Sequence, residues 1–247
     1  MNRAIGDVDL AAGLARRAGR MLLALREESG LTGKALGIEG DRRADALIVA
    51  ALREARPGDG ILCEESQDTF ARLEKSRVWI VDPVDGTREY GEGRSDWAVH
   101  VGLAVDGAAK VGAVALPGLD LVLTSAGGPL PPLAGRPRLV VSRTRPAAQA
   151  VALAEAIGGV TVPMGSAGAK AMAVVRGEAE IYLHSGGQYE WDNCAPAAVA
   201  AGHGLHCSRI DGSPLVYNRE DTYLPDLLIC RPEWADRALD FLNASPA

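Results

Sequence analysis

The chain has 247 residues, 47% of them hydrophobic and 23% charged, which fits one large or two small globular units. A net charge of −6 without any Lys/Arg-rich run argues against a nucleic-acid duplex or an anionic membrane as partner, and no run of about 18 apolar residues exists to span a bilayer. Cys63, Cys194, Cys207 and Cys230 form no C-x-x-C pair and no zinc spacing, and no signal-peptide pattern opens the chain, so a reducing, cytoplasmic setting is expected.

Leu14, Ala18, Met21, Leu22 and Leu25 share one helical face, which predicts a helix over 8–28 ended by Gly30. Ala44, Leu47, Ile48, Ala51, Leu52 and Ala55 predict a second helix, stopped at Pro57-Gly58. Asp41 then stands just before or within its first turn, where a cap or a dipole-stabilising charge is the ordinary role. Residues 61–63 read as a short strand followed directly by Glu64-Glu65. Residues 78–81 read as a buried strand ending at Asp82, after which Pro83 removes a backbone donor and Gly86 permits a sharp turn.

Asp82 and Asp85, three residues apart at the mouth of a strand, converge on one small volume. Both stay ionised there only beside a cation, and a hard divalent ion such as Mg²⁺ or Ca²⁺ is the natural partner of oxygen ligands. An EF-hand loop counted from Asp82 fails, because its third, fifth and twelfth positions are Val84, Gly86 and Gly93. The D-x-D-G-T pattern of aspartyl-phosphate phosphatases also fails, by one extra residue. Open sheets place their ligands outside the strand ends, so Glu64 lies near Asp82 if the two strands are neighbours.

Residues 97–105 and 108–116 predict two strands joined at the hairpin signal Asp106-Gly107, and 121–124 a third. His100, inside the first of them, reads as a core or sheet-face histidine. The meander is antiparallel, and neither a G-x-G-x-x-G after a strand nor a P-loop occurs. The Gly- and Pro-rich stretch 126–137 divides the chain into a metal-binding α+β half, 1–130, and an α/β half, 138–247. The second half alternates: strand 139–142, helix 146–157, strand 160–163, helix 169–176, strand 179–183, a loop at 186–191, helix 194–201 opened by Asp192, strand 227–230 and a helix from Pro232. Asp192 before an Ala-rich helix reads by itself as a cap. Tyr182, His184 and Tyr189 flank the loop and could stack on a base, although Tyr182 alternates as a core residue would.

Asp82-Pro-Val-Asp85-Gly-Thr87 resembles the signature of the inositol monophosphatase superfamily, Mg²⁺-dependent and lithium-sensitive. Cys63-Glu64-Glu65-Ser66 resembles its metal-binding Glu segment, with Cys in place of Gly. Trp191-Asp192 followed by Ala195 resembles its W-D-x-x-A motif. Arg88-Glu89-Tyr90 is similar to the continuation found in the 3'(2'),5'-bisphosphate nucleotidases of CysQ type. The resemblance runs from Asp41 to about Tyr217 and implies a mixed α/β (α+β), layered αβαβα sugar-phosphatase fold, antiparallel-rich in its first half.

That resemblance also implies chemistry. Glu64, Asp82, Asp85, the Val84 carbonyl and Asp192 would hold two or three Mg²⁺ (or Mn²⁺) for phosphoryl transfer to water. Glu64 would act catalytically too, and Thr87 would link the attacking water to Asp41. The Thr usual before this Asp is missing from Ile38-Glu39-Gly40, so Asp45, one helical turn on, competes with Asp41. Gly86 and Thr87 amides would hold phosphate oxygens. Ser142-Arg143 matches the family's Ser-Arg pair, and Gly165-Ser166 leading to Lys170 matches its segment near the sugar and second phosphate. Arg88, Arg143 and Lys170 are thus the cations expected at a second phosphate, with Tyr189 and Asp192 completing the substrate set. The expected substrate is a small phosphorylated nucleotide, 3'-phosphoadenosine 5'-phosphate (PAP) or its phosphosulfate, from sulfur metabolism. Inositol-1-phosphate and fructose-1,6-bisphosphate are the alternatives on the same machinery. A non-catalytic sensor is disfavoured by the complete acidic set. Whether the chain acts alone or as a homodimer is left open.

Overall fold

The computed structural model describes residues 5–133 and 135–244. Two long helices, α1 (Asp7–Glu28) and α2 (Gly33–Ala55), open the chain. α2 starts well before its apolar pattern does, so Asp41 lies mid-helix and is not a cap. The physical reason is a crossing by the short helix α3 (Thr87–Gly91). A Cβ on Gly37 would meet Thr87 Cγ2 at 2.6 Å, and one on Gly40 would meet the Tyr90 ring at 2.7 Å. The early turns of α2 therefore use glycine where an apolar side chain would have announced the helix, and this approach brings Asp41 beside Thr87.

β1 (Gly60–Cys63), β2 (Arg77–Asp85), β3 (Ala98–Val105), β4 (Ala108–Leu116) and β5 (Leu121–Thr124) form one sheet in sequential order. β1 is parallel to β2, and the remaining pairs are antiparallel. Strand alternation sorts the two faces. Trp79, Val81, Val99, Val101 and Leu103 pack with α1 and α2, while Val78 and Ile80 point the other way. β2 outruns the apolar run and reaches Asp85, its register with β3 broken between Asp82 and Asp85, where Pro83 falls.

The second sheet has the order β7 (Val160–Met164), β6 (Arg138–Ser142), β8 (Ile181–Tyr189), β10 (Tyr223–Cys230), β9 (His206–Ser208). β6 runs parallel to β7 and β8, and β10 runs antiparallel to β8 and β9. Helices α5 (Ala167–Val175) and α6 (Glu190–Gly202) lie between the sheets. Ala169, Met172, Ala195 and Val199 there meet Ala98 and Val114 of the first sheet and Tyr182 and Ile229 of the second. α4 (Ala148–Ala156) and α7 (Pro232–Ala244) cover the outer face through Leu153, Ala238 and Leu242 against Leu139, Val141 and Leu228. The layers run helices, sheet, helices, sheet, helices, the expected αβαβα order.

Two local expectations are corrected. Residues 186–189 are the end of β8 and not a loop, with Gly186 and Gly187 at positive φ absorbing the irregularity. α6 then begins at Glu190, so Asp192 is its third residue. β9 gave no sequence signal, being three residues long. Ala134, within the Gly/Pro-rich stretch, lies outside the described residues; the rest of 126–137 holds no helix or strand.

Candidate active site

β2 ends where the layers of the fold meet, and its last turn sets the site. Asp82 Oδ1 accepts from the Val84 amide at 3.0 Å, which curls the backbone over the carboxylate. Gly86, at φ +85°, reverses the chain into α3. A Cβ there would sit 2.8 Å from Ser166 Cβ, so the position needs glycine on both counts. Asp192 arrives from the first turn of α6, its Oδ2 accepting from the Tyr189 amide at 2.6 Å in a capping box. Asp82, Asp85 and Asp192 each offer an oxygen within 4.8 Å of the others. Glu64 follows β1, whose Cys63 pairs with Val81, and its own amide donates to the Val81 carbonyl at 3.2 Å.

Crowding of these carboxylates shows in their proton affinities. Burial first, then Glu64, Asp85 and Asp192, drive Asp82 well above the ordinary carboxylate range. Burial and the Asp85 charge lift Asp192 to about 6. Burial and Asp192, against a hydrogen bond to Asp82, lift Glu64 to about 7. Glu64 is an exposed residue, so carboxylate crowding is the firmer of its causes. Asp85 behaves oppositely. Burial alone would raise it, but His100, Lys170 and the Gly168 amide outweigh burial and hold it below the usual range. A cluster of oxygen donors in which Glu64, Asp82 and Asp192 resist ionisation beside a charged Asp85 fits a hard divalent ion.

The cradle around Asp85 was not legible in the sequence. The first amides of α5 point at it: Ala167 N at 3.1 Å from Oδ1 and Gly168 N at 2.6 Å from Oδ2. His100 is fully buried. Its Nε2 stands 3.1 Å from Asp85 Oδ2 without a well-aligned hydrogen bond, and its Nδ1 lies 3.0 Å from the Trp191 carbonyl. Burial works against the charged ring, but Asp85 and that carbonyl win and raise its pKa. His100 thus touches both chain segments that carry the cluster. A Cβ on Gly168 would fall 2.0 Å from His100 Nε2, so this helix start is built for glycine. The Gly165-Ser166 segment was expected near the sugar and second phosphate, and nothing local tied it to Asp85.

Thr87 Oγ1 lies 3.3 Å from Asp41 Oδ1 and 3.0 Å from the Val84 carbonyl. Asp45 turns elsewhere and accepts from Ser66 Oγ at 2.8 Å. The structure therefore pairs Thr87 with Asp41. Burial, then the charge of Glu65, lifts Asp41 to about 7, against the Thr87 hydrogen bond.

A cavity of about 330 Å³ opens beside the cluster, lined by Glu64, Asp85 and Asp192 together with Ser142, Arg145 and Lys170. The expected cations are mostly occupied. Arg143 donates to Glu89 at 2.7 Å and Glu92 at 2.6 Å. Arg88 donates to Glu92 at 2.8 Å and lines a different hollow with Lys34 and Ile38. Lys170 is buried, its Nζ on the Gly165 and Ser166 carbonyls at 2.5 and 2.6 Å, and burial lowers its pKa to about 8. Gly165 N donates to Asp96, and Ser166 Oγ caps α5 through the Ala169 amide at 3.1 Å, so both serve the scaffold of the site. Ser142 Oγ accepts from the Arg145 amide at 3.2 Å. Of the aromatic candidates, Tyr182 is core, with its OH accepting from Gln188. Tyr189 is exposed at the rim, stacked on Trp191 at 4.9 Å with Tyr223 edge-on at 6.0 Å. Tyr90 is also core, its hydroxyl donating to the Leu22 carbonyl.

Among the described residues no helix is long and apolar enough to cross a membrane. The chain is 47% identical to a 3'-phosphoadenosine 5'-phosphate phosphatase of Mycobacterium leprae, over 93% of this chain and 90% of that protein. It is 30% identical to the 3'(2'),5'-bisphosphate nucleotidase CysQ of Escherichia coli K12, over 74% of this chain and 80% of that one. In structure it is similar to CysQ from Bacteroides thetaiotaomicron, described as a bacterial member of the inositol monophosphatase family. The TM-score is 0.79 at 23% identity, over 90% of this chain and 96% of that one. The model of the inositol monophosphatase family matches residues 9–240, and the chain belongs to that family.

Proposed function

We propose that the chain is a Mg²⁺-dependent phosphatase that removes the 3'-phosphate of PAP to leave AMP, and that it works in the cytoplasm. The observation that carries this reading is the 47% identity to a named PAP phosphatase over 93% of the chain. The carboxylate cluster, two of whose members line a cavity of about 330 Å³, supports it. The free thiols at Cys63, Cys194, Cys207 and Cys230 accord with a reducing compartment.

Asp82, Asp85 and Asp192, with Glu64 and the Val84 carbonyl beside them, would hold the ions. Bound Mg²⁺ supplies charge to the phosphoryl oxygens and acidifies water. The other steps belong to side chains and amides of the chain. At the start of α3 the Gly86 and Thr87 amides have no intrahelical partner and are available to phosphate oxygens. Thr87 has one hydroxyl proton and two acceptors in reach, Asp41 Oδ1 and the Val84 carbonyl. As water attacks phosphorus, one of its protons passes to Thr87 Oγ1 and that of Thr87 to Asp41, while the P–O3' bond breaks and the departing 3'-oxygen takes a proton from solvent to become the 3'-hydroxyl of AMP. An acid with a pKa of about 7 accepts and returns such a proton near neutral pH. Tyr189, backed by Trp191, offers a face on which adenine can stack.

Phosphate release from PAP, inositol-1-phosphate and fructose-1,6-bisphosphate, with Mg²⁺ and with chelator, tests the reading. PAP should be turned over fastest and only with metal. A faster rate on inositol-1-phosphate would transfer the assignment to that substrate class.

A further inference from the structure

The cavity carries both signs of charge: Glu64, Asp85 and Asp192 line it, and so do Arg145 and Lys170 with His184. Arg145 departs from the other cations near the site. Among the described residues it has no carboxylate within ion-pair distance and no side-chain hydrogen bond, and it is exposed. Its backbone is nonetheless fixed, because its amide donates to Ser142 Oγ at the end of β6. Its charge, with that of Lys170, reaches His184, where burial first and then these two cations lower the imidazole pKa.

Each rival cation is already used. Arg143 is divided between Glu89 and Glu92, and Arg88 is paired with Glu92 outside this cavity. Lys170 is buried with its ammonium on two backbone carbonyls. Freeing Arg143 would strand the carboxylate of Glu89, a buried residue, which costs more than a new phosphate contact returns. Arg145 gives up only water. Its planar guanidinium also matches two phosphate oxygens at once.

We propose that Arg145 is the binding site for the second phosphate of the substrate, the 5'-group that remains on the product. The assignment rests on the PAP reading above and deepens it. With the 3'-phosphate at ions held by the carboxylates and the 5'-phosphate on Arg145, each phosphate of the substrate meets its own positive partner in one cavity. The arrangement sets orientation as well as affinity.

The test is kcat/KM for PAP and for 3'-AMP, which lacks the 5'-phosphate, in wild type, Arg145→Ala, Arg145→Lys and Arg143→Ala. Arg145→Ala should lose roughly 10- to 100-fold on PAP, the size of a charge-assisted contact, and stay within about twofold on 3'-AMP. Arg145→Lys should restore part of the loss, since it keeps the charge but not the fork. Arg143→Ala should affect both substrates alike. Equal losses on both substrates for Arg145→Ala, or a PAP-selective loss for Arg143→Ala, would overturn the proposal. A wild type that strongly prefers PAP to 3'-AMP, with no change in Arg145→Ala, would overturn it and leave the PAP reading standing. A wild type that ignores PAP and takes inositol-1-phosphate would overturn the PAP reading itself.

Discussion

Asp41→Asn should make the metal-free protein more stable and much less active, with a pH dependence that identifies the cause. Asp41 is 8% exposed, and burial with the nearby Glu65 charge lifts its pKa from 3.8 to about 7. A carboxyl protonated more readily in the folded state favours folding at low pH. That contribution is present below about pH 4 and is lost as pH rises to about 7. Three pH units at about 1.4 kcal/mol each give an upper limit of about 4 kcal/mol. Interior relaxation reduces such figures, so about 2 kcal/mol is expected, or roughly 4–8 °C for a chain of this size. Asn keeps the shape and an oxygen for the Thr87 hydroxyl but carries no charge. In chelator, its advantage in thermal unfolding should grow between pH 4.5 and 7.5 and flatten above. Turnover at saturating Mg²⁺ should fall about 100-fold or more, because the proton from Thr87 has no base to receive it. An advantage that is constant with pH would refute the buried-charge argument, and unchanged turnover would refute the role of Asp41 as base.

Asp85→Asn should abolish turnover even at saturating Mg²⁺ while the protein still folds, since one amide oxygen can still accept from the α5 amides; a near-normal rate would remove Asp85 from the metal cluster. Gly168→Ala places a carbon 2.0 Å from the buried His100 ring and should cost about 1–3 kcal/mol in chemical denaturation; no measurable loss would mean the helix start has room the structure denies it. Added Mg²⁺ or Mn²⁺ should raise the unfolding temperature more at pH 8 than at pH 5.5, because Glu64, near 7, and Asp192, near 6, must shed protons to bind an ion; calorimetry showing no proton release near pH 6.5 would contradict this.

What was legible in the sequence was chemistry confined to a few consecutive residues. Asp82 through Thr87 is one turn, and its aspartates, Pro83 and Gly86 each have a local reason to be there. Asp192 needed more, because its side chain does serve a helix start, from the third helical position and not as the N-cap itself, and only the return of α6 to β2 adds the second role. The first turns of α2 stayed hidden because Gly37 and Gly40 stand where a helix pattern would show apolar residues. Arg143 read as a free cation because its partners Glu89 and Glu92 are some fifty residues away in sequence. The Ala167 and Gly168 amides were invisible for a simpler reason: a backbone donor has no letter of its own.

The cradle of Asp85 explains why the cluster is asymmetric and why the whole chain is needed to make it. β2 brings Asp82 and Asp85 as neighbours, and left alone both would be driven toward the protonated form by burial. Asp82 has the single Val84 amide, whereas Asp85 is answered by two α5 amides, by His100 and by Lys170, so it keeps its charge without an ion. Three of those four answers come from residues 167–170, and the fourth is His100 on β3, held also by the Trp191 carbonyl at the start of α6. Lys170 is buried in the same step, its ammonium locked on the Gly165 and Ser166 carbonyls, which makes it part of the scaffold and unavailable to a ligand. An ammonium held by two backbone carbonyls beside an acidic cluster is not free to take up a phosphate as well. The fold therefore divides two jobs between two residues, with Lys170 holding the acidic cluster together and Arg145 left exposed beside it.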